Sequence, residues 1–233
     1  MTARSPVSSV VVRLLLVNPN TTSTMTAAIA ASASAVARPG TVVQALNPID
    51  GPPSIENDDD ERRCVPGLFE ILREACGRPA GERPDAYVVA CFGDPGLDEA
   101  RAMLPAPVLG IAQAAMHAAA LAAGTFSVVT SMSATISRAW QLAKAYTPNQ
   151  CLGVYACDIP VLQIDSDPAS IEPIGDLCAC ALETDGSRAI VLGCAAMAPF
   201  AAPLTRRLGV PVIDGVVAAT LLAEALAGLT PSR

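Results

Sequence analysis

Short apolar runs alternate with alanine-rich stretches along nearly the whole chain, and no other feature constrains its fold as tightly. Val10 to Val17, Val42 to Leu46, Tyr87 to Ala90, Val108 to Ile111, Phe126 to Thr130, Val161 to Ile164, Ala189 to Leu192 and Pro211 to Ile213 read as strands. Between them Thr22 to Val36, Gly67 to Cys76, Leu97 to Leu104, Ala114 to Ala123, Thr135 to Ala145, Ala169 to Leu182, Pro199 to Leu208 and Val216 to Ala227 read as helices. Strands that alternate with helices pair in parallel through right-handed crossovers, so the expected class is α/β. Ligands of such sheets bind beyond the carboxyl ends of the strands, which makes the residues just after each strand the informative ones.

Those residues repeat. NPNTTST follows the first strand, CFGDPG the third, SMSATIS the fifth and CAAMAP the seventh. Hydroxyl-rich turns thus alternate with cysteine turns. AYVVACFGDPGLDEARAMLPAPVLGI and AIVLGCAAMAPFAAPLTRRLGVPVID each carry an apolar strand, a cysteine, a small-residue turn, a helix and a Pro-Val strand. We therefore expect two pseudo-symmetric lobes, each a short, mainly parallel sheet flanked by helices, with an active site in the cleft between them. Residues 1–112 plus 215–233 form the first lobe in this reading, and residues 113–214 the second. Facing lobes would bring Cys91 and Cys194 to opposite walls of one cleft. The plainer alternative is chance similarity between two ordinary βαβ units.

Composition narrows what the cleft takes. A net charge of -7 and the lack of a basic cluster with interleaved aromatics argue against nucleic acid or an anionic membrane as partner. A small molecule is expected instead. No apolar run approaches the ~18 residues of a membrane helix, and Arg13 followed by Asn18-Pro19-Asn20 is unlike a secretion signal. A cytoplasmic protein is expected. The eight cysteines lie in apolar periodic segments of a chain that needs no disulfide staples, so free thiols are expected. No metal is expected either: C-x-x-C is absent, and His117 is the lone histidine. His117 sits among alanines suited to helix or subunit packing, and a homo-oligomer fits that surface.

Two thiols across a cleft suit one kind of chemistry. With a thiol pKa of ~8.5 and modest tuning by turn amides, one cysteine can be thiolate while the other is thiol. The first removes a proton from one face of a carbon and the second returns one to the other face, which is two-base racemisation.

The stretches LLVNPNTTSTM, GPPSIENDDDERRCVPGL, ACFGDPGLDEAR, GIAQAAMHAA, FSVVT, LGCAAM and LGVPVIDGV together resemble the Asp/Glu/hydantoin racemase superfamily. They are most similar to its hydantoin and allantoin racemases, from Leu14 onward. The resemblance implies cofactor-independent racemisation of a 5-substituted hydantoin or allantoin, with Cys91 and Cys194 as acid and base. It also places Asn18 and the Thr130-Ser131 turn on the substrate. A hydantoin delocalises its own carbanion through a ring carbonyl, so neither pyridoxal phosphate nor a metal is required.

Physical reasons parallel to the resemblance extend the set. The enolate oxygen needs preorganised donors, and the amides around Gly93, Asp94, Ala195 and Ala196 lie at helix starts. Asn18, Thr21 and Ser131 offer side-chain donors to the remaining polar atoms of the ring. Each residue has a bland alternative: Asn18 as a helix cap, Ser131, Ser133 and Thr135 as loop residues with local backbone bonds, and Asp94 as the start of the helix at Leu97. The other cysteines read as buried small hydrophobes. The chain departs from its relatives at Asn57-Asp58-Asp59-Asp60, where they carry aromatics, and after Ser131; both segments are expected to be loops that select the substituent. An Asp/Glu racemase, an arylmalonate-decarboxylase-like enzyme and a non-catalytic binding protein for a small molecule are the competing readings. Cys91 counts against the decarboxylase, which needs only the later thiol.

Overall fold

The computed structural model describes residues 11–229. Two four-stranded, wholly parallel sheets form its framework. The first holds β1 (Arg13–Val17), β2 (Val42–Leu46), β3 (Ala86–Val89) and β4 (Val108–Gly110) in the order β2-β1-β3-β4. The second holds β5 (Phe126–Thr130), β6 (Cys151–Ala156), β7 (Ile190–Gly193) and β8 (Val212–Asp214) in the order β6-β5-β7-β8. The two orders are the same when the second is read from β5.

Each sheet is covered on both faces, and for that reason its central strands read as continuous apolar runs. Along β1, Leu14 and Leu16 face one cluster with Ile29 and Val216, while Leu15 and Val17 face another with Leu68 and Leu72. The covering helices of the first sheet are α1 (Ser23–Val36), α2 (Asp58–Cys76) and α3 (Leu97–Met103). Those that follow are α4 (Ile111–Ala123), α5 (Ile136–Tyr146), α6 (Val161–Ser166), α7 (Ile171–Asp185), α8 (Ala201–Leu208) and α9 (Gly215–Leu229). Two of them cross over. α4 leaves the first sheet and packs Ala115, Met116 and Ala119 against Phe126 and Val128 of the second, whereas α9 returns Val216 and Ala219 to Leu14 and Val88 of the first.

The structure corrects two of the expected elements. Val161 to Ile164 is not a strand but the start of α6; Pro160, with φ of −54°, precedes it, and Val161 and Ile164 are buried while Leu162 and Gln163 are exposed, a helical spacing. The sixth strand is Cys151–Ala156, hidden in the sequence by Gly153 at its middle. A Cβ on Gly153 would lie 2.0 Å from Asp185 Oδ2 and 2.7 Å from the Tyr155 ring, so the tight approach of α7 requires glycine there. The acidic segment is likewise no loop. Asn57 caps α2, its Oδ1 accepting from the Asp59 and Asp60 amides at 2.9 and 3.0 Å, and the three aspartates favour the positive end of that helix. Pro66 inside α2 disguised the earlier start. Val10, expected to open the first strand, lies outside the described residues.

The crossing of α4 and α9 brings the first residue of α9 onto the first of α4. A Cβ on Gly215 would meet Ile111 O at 2.6 Å, whereas one on Gly228 at the far end of α9 would meet nothing. Gly215→Ala should therefore lower stability by about 1–3 kcal/mol. Gly228→Ala should raise it by about 0.5–1 kcal/mol through helix propensity, and urea unfolding midpoints check both.

Candidate active site

The carboxyl ends of β1, β3, β5 and β7 converge on a cavity between the two sheets. Asn18, Cys91, Gly93, Thr130, Ser131, Cys194 and Ala195 all line it. Thr21, Asp94 and Ala196 do not. Cys91 follows β3 by one intervening residue, and Cys194 follows β7 directly, opening a 3-10 turn. The backbone N–H two residues further on, Gly93 for Cys91 and Ala196 for Cys194, favours each thiolate. The repeat seen in the sequence is thus a repeat of local geometry.

Burial pushes the Cys91 thiol well above its ordinary range, reinforced by Cys64 and Glu61 and opposed by the Gly93 N–H. Burial also lifts Cys194, to about 11, against the Ala196 N–H and the Ser131 hydroxyl. Burial thus favours the protonated thiol at both positions, while the amides beside them favour the thiolate. The other cysteines are free. Cys64 and Cys178 are buried, but Cys180 is exposed and Cys76, Cys151 and Cys157 are half-buried, so not all are the core residues expected.

Several expected contacts have other employment. Asn18 Nδ2 donates to Asn20 Oδ1 at 2.9 Å and Thr26 Oγ1 at 3.0 Å, and Asn18 Oδ1 accepts from the Asn20 amide at 3.3 Å; the side chain is the hub of the turn after β1 as well as part of the wall. Thr130 Oγ1 donates to Gly193 O at 3.2 Å, bracing the strand that carries Cys194. Thr21 binds Pro52 O through its amide at 3.1 Å. The Asp94 amide closes the cysteine turn onto Cys91 O at 3.0 Å, so it cannot serve an oxyanion. Of the other expected amides, those of Gly93 and Ala196 favour the thiolates, and Ala195 lines the cavity.

Asp94 does cap a helix, but α4 rather than α3. Its carboxylate accepts from the Ala112 and Gln113 amides at 3.0 and 2.9 Å. In the second lobe Asp214, at the end of β8, does the same for Val216 and Val217, both at 3.0 Å. The first lobe has Gly110 at that strand end, where a Cβ would lie 2.1 Å from Asp94 Cγ, so the carboxylate of Asp94 occupies the space that a side chain would fill.

Sequence reasoning missed the flanks of the cavity. Asn20, Met25, Ile55, Glu61, Arg138 and Val161 also line it. Glu56 Oε1 accepts from the Val161 amide at 3.0 Å, so the segment before α2 holds α6 of the other lobe over the cavity. Ile55 and Glu61, not the intervening acidic run, are what that segment shows to the cavity. Asn20 was legible in NPN, but nothing in the apolar pattern marks Glu61 or Arg138. His117 lies off the cavity, its Nδ1 on Gln113 O at 2.8 Å. Among the described residues no cluster of histidine, cysteine and carboxylate groups is placed to hold a metal, and no helix is long and apolar enough to cross a membrane.

Burial raises the Asp94 pKa from an ordinary 3.8 to about 7, against the pull of the two α4 amides, Tyr146 and Arg138. A carboxyl that is harder to ionise folded than unfolded stabilises fully below its unfolded pKa, and that contribution is lost as pH rises through the folded one. Between pH 5 and 8 the unfolding free energy of Asp94→Asn should therefore gain on that of the wild type. Urea titrations of both proteins at the two pH values read the difference.

The sequence matches the Asp/Glu/hydantoin racemase family over residues 14–223. The hydantoin racemase of Rhizobium meliloti is 43% identical over 91% of this chain and 88% of its own. That of Paenarthrobacter aurescens is 38% identical over 93% and 92%. Among solved structures, the allantoin racemase from Klebsiella pneumoniae superposes with a TM-score of 0.88 at 44% identity, covering 94% of this chain and 88% of its own.

Proposed function

The chain belongs to the Asp/Glu/hydantoin racemase family, and from that membership and the paired thiols we propose that it is an isomerase that racemises a 5-substituted hydantoin or allantoin. The carrying observation is that Cys91 and Cys194 leave equivalent strand ends and line one cavity, each beside an amide two residues on that favours its thiolate. With C5 of the ring between them, the cysteine that has first lost its own proton to solvent takes the C5 proton as thiolate, and the other delivers its proton as thiol. The negative charge that spreads onto the C4 oxygen is met by the Ala195 amide at the start of its 3-10 turn. Ser131 and Asn18 hold the other polar ring atoms. No prosthetic group takes part in this scheme, because the ring supplies the delocalisation.

The cavity favours a neutral imide over an amino acid. Arg138, the cation on its wall, is already committed to Glu61 and to a backbone carbonyl, and so offers little to a free carboxylate. That counts against an aspartate or glutamate racemase. A division into a first lobe of residues 1–112 plus 215–233 and a second of 113–214 belongs to the same proposal and is supported by the exchange of α4 and α9 between the sheets. So do a cytoplasmic setting, which suits eight free cysteines, and a homo-oligomer, which suits Leu121 standing 85% exposed on α4.

Cys91→Ala and Cys194→Ala should each lower racemisation, followed by polarimetry on resolved hydantoins and allantoin, by about 100-fold or more with folding intact. Substantial activity in either variant would end the two-base scheme. In deuterated water Cys91→Ser and Cys194→Ser should exchange the C5 hydrogen of opposite enantiomers, each returning deuterium to the face it came from. Loss of the same enantiomer's hydrogen in both would mean that the cysteines do not face each other across the substrate. Activity of the wild type should survive EDTA.

A further inference from the structure

The two walls of the cavity are not equivalent. Arg138 lies eight residues beyond Thr130, the last residue of β5, and the corresponding place beyond Val17 of β1 is held by Met25. Both side chains line the cavity. Met25 packs into the apolar cluster around Cys194. Arg138 instead crosses from the second lobe to the first, where its Nε and Nη2 donate to the Gly93 carbonyl at 3.0 and 2.7 Å. The same guanidinium faces Glu61 of α2 at 3.5 Å, the two side chains being 32% and 18% exposed. Glu61 is pressed against the cysteine turn: a Cβ on Gly93 would lie 1.9 Å from its Oε1. Since methionine serves at the equivalent place, the fold does not demand a guanidinium there. The demand is local to the Cys91 wall.

We propose that Arg138 is a positioning residue for Cys91: reaching across the cleft, it fixes the Gly93 carbonyl and cancels the charge of Glu61 beside the thiol. This rests on the reading of Cys91 as one of the two proton-transfer groups. Two charge-assisted bonds to one carbonyl hold the turn whose N–H points at the Cys91 sulfur. A carboxylate left unmatched in the same half-buried space would oppose the negative charge that Cys91 carries before it takes a proton from the substrate, or after it has given one. Facing Cys91 are Glu61 and Cys64 from α2 and Cys194 from the other lobe. Glu61 also faces Asp58 on its own helix, whose like charge raises it while Arg138 lowers it. Asp94 feels Arg138 too, but its carboxylate is turned to the α4 amides and to Tyr146.

The test reads the thiol rather than the reaction. Iodoacetamide alkylation of the intact protein, followed residue by residue by mass spectrometry across pH, gives a midpoint for thiolate formation at each cysteine. In Arg138→Gln the Cys91 midpoint should rise by about one pH unit, a tenfold loss of thiolate, while that of Cys194 stays in place. Adding Glu61→Gln should bring it back, because the charge that Arg138 offset is gone. An unchanged Cys91 midpoint in a folded Arg138→Gln protein would overturn the proposal. So would equal movement of both cysteines, the sign of a merely structural loosening, or failure of the double variant to recover. With a racemised substrate in hand, Arg138→Gln should lower kcat about tenfold or more and move KM about threefold at most, as expected when positioning and not binding is lost. A wild type that racemised no hydantoin and no allantoin would sink the functional reading instead, and the alkylation midpoints would still decide the role of Arg138 at the thiol.

Discussion

Burial of β3 and β7 on both faces is the constraint from which the cavity follows. Every residue of the two strands is buried, and each pairs in parallel with the central strand beside it, Val89 with Val17 and Gly193 with Thr130. A slip of one residue along either ladder would exchange the two faces of a strand and turn its cysteine away from the cavity. With apolar clusters on both sides, the register is set by the fit of each side chain to its own cluster. The core thus sets the side of each sheet on which the thiols emerge.

The two lobes solve the same local problems with different residues. Both α4 and α9 need a carboxylate at their amino ends, and one lobe takes it from the preceding strand while the other borrows it from the cysteine turn. The borrowing ties Cys91 to the helix that crosses to the other lobe. The turn is thus anchored at both ends of a short stretch, by Asp94 to α4 and by the Gly93 carbonyl to Arg138. Cys194 has no charged clamp of this kind among the described residues: Thr130 Oγ1 braces the Gly193 carbonyl before it, and it sits among Met25, Ala196 and Met197. An exchange of protons between two cysteines requires opposite protonation states at the same moment. Unequal surroundings are a physical means of keeping the two thiols apart in acidity while their geometry stays matched.

Burial sets the electrostatic scale of the whole arrangement. It lifts Cys91, Cys194, Glu61 and Asp94 alike, since each loses more hydration as an anion than its partners return. In such surroundings a single amide or guanidinium weighs more than it would in water. The amides at Gly93 and Ala196 therefore matter more than their modest number suggests, and the glycine at 93 is needed because Glu61 leaves no space for a side chain.

The alternation of apolar runs and helical stretches determined the α/β class, and seven of the eight expected strands overlap observed ones, because buried parallel strands and amphipathic helices write their periods directly into the chain. The pairing of Cys91 with Cys194 was legible for the same reason: a residue just after a buried strand has only one end of the sheet to occupy. What failed locally failed where packing overrode pattern, as at Gly153, which interrupts the apolar run of its strand because Asp185 of α7 and the Tyr155 ring fill the space of a side chain, and at Val161, whose apolar spacing fits a short strand or a short helix equally well. The sequence could say that Asp94, Gly93 and Ala196 lie beside the cysteines, but not which way they face. Their roles were decided only when α4 was brought to Asp94 and Arg138 to Gly93, from segments distant in the chain. A hydrogen bond between lobes leaves no period in the sequence of either, and the bond from Arg138 to the Gly93 carbonyl is of that kind.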